Sequence, residues 1–168
     1  MVSGGQQITI ELAQSKKIYF ASDQHLGAPN EAESRVRELR FVKWLDEIKP
    51  NCQALFLLGD LFDFWYEYKQ VVPRGFVRTL GKLAEFTDAG IPIYFFTGNH
   101  DLWMRDYFEK ELNIEVFREK QLFKINNKRF FIAHGDGLGP GDKGYKRMKK
   151  LFTNKFAQFL FSLLHPDF

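Results

Sequence analysis

Four short apolar runs in this chain each stop at a residue able to bind a metal. Ile18-Tyr19-Phe20-Ala21 leads into Asp23-Gln24-His25, and Ala54-Leu55-Phe56-Leu57-Leu58 into Gly59-Asp60. The run from Ile91 to Phe96 leads into Gly98-Asn99-His100-Asp101, and Phe130 to Ala133 into His134-Gly135-Asp136. A continuous apolar run of this length reads as a strand buried on both faces. Sheets built from such strands collect functional groups just beyond their carboxyl ends. Carboxylates and imidazoles gathered there repel one another, or go unsatisfied, unless something positive lies between them. A divalent ion, or a pair of them, meets that need.

Helical patterns separate the runs. Val36, Leu39, Phe41, Trp44, Leu45 and Ile48 form one stripe, with Ser34 placed to cap its start and Pro50 to close it. Phe76, Leu80, Leu83 and Phe86 predict a second helix ended by Gly90. A short third helix is expected from Trp103 to Leu112. Strand and helix in alternation imply an α/β fold, a parallel sheet with right-handed crossovers. Leu122 to Ile125 and Lys128 to Ala133 flank Asn126-Asn127, a hairpin signal, so the sheet is expected to turn mixed. Ile8 to Leu12 alternates and reads either as an edge strand or as part of a tail. After the glycine-rich stretch Gly137 to Gly141, an amphipathic helix is expected within 142–165. Its apolar side carries Tyr145, Met148, Leu151, Phe152, Phe156, Phe159, Leu160 and Leu163.

Composition bounds the remaining choices. At 168 residues, 45% hydrophobic and 19 phenylalanines, the chain suits one domain with a sizeable core and excludes a disordered polymer. Its single cysteine, Cys52, excludes an internal disulfide and fits a reducing compartment. A net charge of +3 and a pI near 8.9 allow an anionic partner, yet are too weak to demand nucleic acid. No segment approaches the roughly 20 apolar residues of a membrane span, and Met1 to Lys17 lacks the apolar core of a signal peptide. The expectation is a cytoplasmic protein.

Asp23 and His25 lie two residues apart at one strand end, on the same side of the chain. Asp60, Asn99 and His134 are the next candidate ligands. Oxygen and imidazole donors without thiolates suit Mn²⁺, Fe²⁺, Zn²⁺ or Mg²⁺. Asp60, central in the order, can bridge two ions, one also held by Asp23 and His25, the other by Asn99 and His134. Two such ions can hold a hydroxide and the non-bridging oxygens of a phosphate. Asp63, Asp101 and Asp136 are suited to orient imidazoles. The alternative for Asp23, His25, Asp60, Asn99 and His134 is turn chemistry and caps after strands, which Asp, Asn and Gly also favour.

In residue type, order and spacing, these blocks resemble the signature of the calcineurin-like metallophosphoesterases. They are Asp23-x-His25, Gly59-Asp60-x-x-Asp63, Gly98-Asn99-His100-Asp101 and His134-Gly135-Asp136, some 35 to 40 residues apart. The resemblance covers about Ile18 to Tyr145. It implies an α/β/β/α sandwich, here incomplete, with the second sheet largely missing. It implies two divalent ions, manganese first, and catalytic roles for His100 and Asp101. Leu58 to Trp65, His134 to Leu138 and Gly141 to Tyr145 are similar to the branch that hydrolyses a UDP-activated diacylated sugar in the lipid A pathway. The best-known members of that branch carry arginine after the asparagine; here that position is His100, as in the wider family. The family pattern closes with a Gly-His-x-His block giving one ligand to each metal. This chain has only His165 beyond His134. The expectation is therefore a truncated form whose activity is open.

The expected substrate is a nucleotide-lipid, with Trp65, Trp103, Asp142 and Tyr145 as contacts. Aromatics crowd the site motifs: Phe62, Phe64, Trp65, Tyr66 and Tyr68, then Trp103. They read either as core or as an apolar collar for acyl chains. The final helix reads as a packed, lid-like face or as a membrane anchor. Its Lys143, Lys146, Arg147, Lys149, Lys150 and Lys155 form a solvated face, or one suited to a diphosphate or to peripheral contact with an anionic inner leaflet. His100 is either a general acid against the phosphate or a group that only holds Asp23 or Asn99 in place. Two other functions stay open: a phosphodiesterase or nuclease on a soluble substrate, and an inactive metal-binding fragment.

Overall fold

The computed structural model describes residues 7–136, residue 152 and residues 154–163. Four strands form an all-parallel sheet in the order β2 (Lys17–Ala21), β3 (Cys52–Leu57), β4 (Ile93–Phe96), β5 (Glu115–Phe117). The crossovers hold α1 (Glu31–Ile48), α2 (Val77–Asp88) and α3 (Tyr107–Leu112). A second sheet joins β1 (Ile8–Ile10) to β6 (Gln121–Ile125) in parallel, and β6 to β7 (Lys128–Ile132) in antiparallel. A last helix, α4, spans Lys155–Ser162.

Side-chain alternation along β3 explains the layering. Leu55 and Leu57 face the helix layer with Phe41, Leu45, Ile48, Leu83, Phe86 and Phe108. Ala54 and Phe56 point the other way, into a second core with Ile10, Phe96, Phe123, Ile125 and Ile132. Successive strand residues point to opposite faces, so a strand apolar throughout needs a cover on each side. The helices supply one cover and the second sheet the other.

The hairpin expected to make the first sheet mixed does not extend it; it joins β1 in the second sheet, of which three strands are present among the described residues. The run ending at Ala133 is not buried on both faces as expected. Within β7 only Ile132 is buried, while Phe130 and Phe131 are exposed. Ile8 to Ile10 is a strand rather than a tail, in register with Phe123 to Ile125.

Helix starts also differ from the pattern. The cap of α1 is Asn30, whose side-chain oxygen accepts from Glu33 N at 3.0 Å. Ser34 sits inside the first turn, where its hydroxyl accepts from Gly27 N at 2.7 Å. The helix expected from Trp103 begins at Tyr107, because Glu67 captures the backbone just before it. That buried carboxylate accepts from the amides of Arg105, Asp106 and Tyr107 at 2.6, 2.8 and 3.1 Å, and from Trp65 Nε1 at 3.0 Å. Of the helix expected within 142–165, α4 is the part that falls among the described residues. The stretch Gly137 to Gly141, Asp142, Tyr145 and the basic positions 143–150 lie outside them.

Candidate metal centre

The parallel strands β2, β3 and β4 bring their carboxyl ends to one edge. There the segment after β2 continues alongside the segment after β3. Leu58 N donates to Ala21 O (2.8 Å), Asp23 N to Gly59 O (3.1 Å), His25 N to Asp60 O (3.0 Å) and Asp63 N to Leu26 O (2.9 Å). Asp23, His25 and Asp60 all adopt left-handed backbone, with φ of 55°, 43° and 53°. Outside glycine that conformation costs roughly 1–2 kcal/mol per residue, and it is concentrated at functional sites. The loop after β4 closes tightly on this edge. A Cβ on Gly98 would lie 2.0 Å from Asp60 Oδ1, and one on Gly59 would lie 2.7 Å from Gly98 Cα. Both positions admit glycine alone.

Asp60 is the buried centre of the cluster. Its Oδ1 accepts from His100 N at 3.0 Å. Its Oδ2 lies 3.8 Å from His25 Nε2 and 3.5 Å from His134 Nε2, and His25 Nε2 lies 3.9 Å from Asp23 Oδ1. These spacings exceed a hydrogen bond. Two ligands about 2.1 Å from one ion, and about 90–110° apart around it, are separated by roughly 3.0–3.5 Å. Two sets of potential metal-holding atoms share Asp60: His25, Asp60 and His100, and Asp23, Asp60 and His134.

The imidazoles are held as a ligand set requires. His134 Nδ1 donates to Leu58 O at 2.6 Å, leaving the lone pair of Nε2 toward Asp60. Asn99 Oδ1 lies 3.3 Å from that same Nε2. Asp60 Oδ2, Asn99 Oδ1 and His134 Nε2 therefore converge on one another, a set of oxygen and nitrogen donors that a cation can bind. His100 Nδ1 donates to Asp63 O at 2.8 Å, and Asp63 Oδ1 lies 3.5 Å from the Nδ1 of both His25 and His100. A ligating histidine characteristically donates its other ring N–H to a carbonyl or carboxylate. The residues present thus fit divalent ions.

Asp23, His25, Asp60, Asn99, His100 and His134 are brought together. Asp101 is placed otherwise than expected. Fully buried, it accepts from Gly98 N at 2.6 Å and Leu61 N at 3.1 Å, tying the β4 loop to the β3 loop. Burial, reinforced by the charge of Asp60, raises its carboxyl to about 7. Its carboxylate oxygens are held by backbone amides rather than by an imidazole. Trp65, expected as a substrate contact, is likewise wholly buried and packs against Phe62 and Phe108.

The aromatic collar divides. Phe62, Trp65 and Met104 belong to the core. Trp103 packs with Phe64, Tyr66, Phe152 and Phe161 beneath α4, and its Nε1 donates to Phe152 O at 2.5 Å. Two residues escaped the sequence reading. Arg37 Nη1 donates to Gln24 O, His25 O and Ala28 O at 3.1, 2.8 and 3.2 Å, clasping the ligand loop from α1. It carried no signal, being one of several charges on a helix. Glu67 carried a faint one, a lone acid within Trp65-Tyr66-Glu67-Tyr68.

Residues 16–165 match the family model of the calcineurin-like phosphoesterases, and the chain belongs to that family. The family implies divalent metal ions, in keeping with the shared-carboxylate geometry. Among its relatives, the UDP-2,3-diacylglucosamine hydrolase of Porphyromonas gingivalis is 44% identical over 151 residues, which are 89% of this chain and 58% of that protein. The Proteus mirabilis protein of the same name is 35% identical over 86% of this chain and 58% of its own length. The one from Haemophilus influenzae is 31% identical over 89% and 61%. The chain spans about three-fifths of the length of these curated relatives.

Proposed function

We propose that this chain carries the metal-binding part of a hydrolase that cleaves the phosphoanhydride of UDP-2,3-diacylglucosamine, giving UMP and the diacylated sugar 1-phosphate. The observation that carries the reading is the pair of ligand sets meeting at Asp60, joined to the relatives' shared name. Asp23, His25 and Asp60 would hold one ion, and Asp60, Asn99 and His134 the other. Manganese is our first assignment, and the oxygen and imidazole donors also admit iron, zinc or magnesium. When bound, such ions lower the pKa of a water and offset charge on phosphoryl oxygens.

The protein's own groups do the rest. His100, fixed through Nδ1 by the carbonyl of Asp63, is left with Nε2 for the phosphate or leaving oxygen. Protonated there, it donates as the phosphoanhydride bond breaks and the leaving phosphate departs with the electron pair. The apolar surface of Phe64, Trp103, Phe156 and Phe159 suits acyl chains. The same surface suits peripheral contact with a cytoplasmic leaflet; among the described residues no helix is long and apolar enough to cross a membrane.

The test is UMP release by the Mn²⁺-loaded protein from UDP-2,3-diacylglucosamine and from its deacylated counterpart. Each buried methylene is worth about 0.8 kcal/mol. The acylated substrate should therefore be preferred by orders of magnitude. Equal rates would replace the lipid reading with a general phosphodiesterase, and no release from either would overturn the proposal.

A further inference from the structure

We infer that the cleft between the starts of α1 and α2 receives the nucleoside-monophosphate end of the substrate, an inference that rests on the nucleotide-lipid reading above. The cleft encloses about 730 Å³ and reaches Gly27, two residues beyond His25. A Cβ on Gly27 would lie 3.7 Å from Asp63 Cβ and 3.6 Å from Phe76 Cζ. Asp63 in turn sits between the His25 and His100 rings. The cleft thus adjoins the candidate metal centre through one residue.

Its charges are unevenly matched. Glu38 is buried, pairs with Arg35 at 2.7 Å and accepts from Thr79 N at 3.2 Å, so the Arg35–Glu38 pair is internally compensated. Arg74 and Glu31 also line the cleft, and neither side chain has a hydrogen-bond or ion-pair partner among the described residues. A free guanidinium presents a planar fork that matches phosphate oxygens. A free carboxylate accepts from vicinal hydroxyls such as those of a ribose. Phe76 adds an apolar wall. It is held in the left-handed region, φ 56°, with its ring 5.0 Å from that of Phe62. A bulky residue there is a true outlier.

The surroundings of the centre differ in kind. Beneath α4 they are aromatic, with Phe64, Trp103 and Phe161 in mutual contact. Toward the α1–α2 cleft they are charged. A nucleotide-lipid has the same polarity, one end anionic and rich in hydrogen-bonding groups, the other aliphatic. Matching like to like orients it with the nucleotide in the cleft and the lipid beneath α4.

The experiment is calorimetric titration of the Mn²⁺-loaded full chain with UMP, uridine, inorganic phosphate and glucosamine 1-phosphate. UMP should bind more tightly than the other three. Arg74→Ala should weaken UMP about ten- to a hundredfold and leave glucosamine 1-phosphate unaffected. Glu31→Gln should weaken UMP and not inorganic phosphate. Both side chains are exposed and have no partner among the described residues, so the variants do not disturb the core. UMP bound equally by wild type, Arg74→Ala and Glu31→Gln would reject the cleft while leaving the nucleotide-lipid reading standing. A wild type that binds no UMP and cleaves no UDP-sugar would reject both.

Discussion

Single residues at this site separate into those that face an ion and those that hold the facing groups in place. Arg37 is of the second kind. One guanidinium nitrogen clasps three carbonyls of the loop carrying Asp23 and His25. Partners of metal ligands typically change affinity 10- to 100-fold, so Arg37→Ala should weaken the ion at Asp23 and His25 by about that factor. Metal titration should find the ion at Asn99 and His134 nearly unchanged; equal loss at both would deny Arg37 a local role. For His100→Ala, turnover should fall roughly 10²–10⁴-fold with metal content kept. A parallel loss of metal would make His100 a ligand, as its grouping with His25 and Asp60 permits. The converging residues were legible in the sequence because ligand chemistry restricts their types and strand ends fix their place. The burial of Asp101 and Trp65 was not legible, since neither motif nor aromatic character reveals it. Both oxygens of Asp101, two residues past Asn99, lie on backbone amides, which its motif does not announce.

Among elements, two helices begin on carboxylates supplied from elsewhere in the chain. Glu67 caps the approach to α3, and Glu38, from α1, accepts from Thr79 N in the first turn of α2. Leaving buried donors without a partner costs about 1–3 kcal/mol each. Glu67→Ala should therefore lower unfolding free energy by about 3 kcal/mol in a denaturant titration, whereas a distant surface change such as Glu119→Ala should stay within about 0.5 kcal/mol. A loss at Glu67 no larger than that of the surface change would contradict the capping role. Long-range caps explain why helix starts were read wrongly. Ser34 looked like a cap from its type, but Asn30 holds that role. The helix expected from Trp103 was delayed by Glu67, more than thirty residues away. Strand β5 was not anticipated: three residues, Glu115-Val116-Phe117, hold too little periodicity to stand out.

At the scale of the whole molecule, the site exists because two sheets stack. Asp23, His25, Asp60 and Asn99 follow strands of the parallel sheet, while His134 follows β7 of the other. The sequence announced strands that needed covering on both faces, but not that the hairpin would leave the first sheet and join β1. Pairing of Ile8 to Ile10 with Phe123 to Ile125 spans over a hundred residues, and no local pattern encodes such a partner. Phe56 lies between the sheets, against Phe20, Tyr94 and Phe123. Phe56→Ala should cost about 3–5 kcal/mol and, by loosening the docking that delivers His134, should also lower affinity for the ion there; a destabilised variant with intact metal affinity would separate the stacking from the site. On the reading proposed above, Asp60 joins two ion sites drawn from both sheets. Elemental analysis after Mn²⁺ loading tests it most directly. About two ions are expected per wild-type chain, about one in His134→Ala and none retained in Asp60→Ala. Undiminished metal in Asp60→Ala would contradict it.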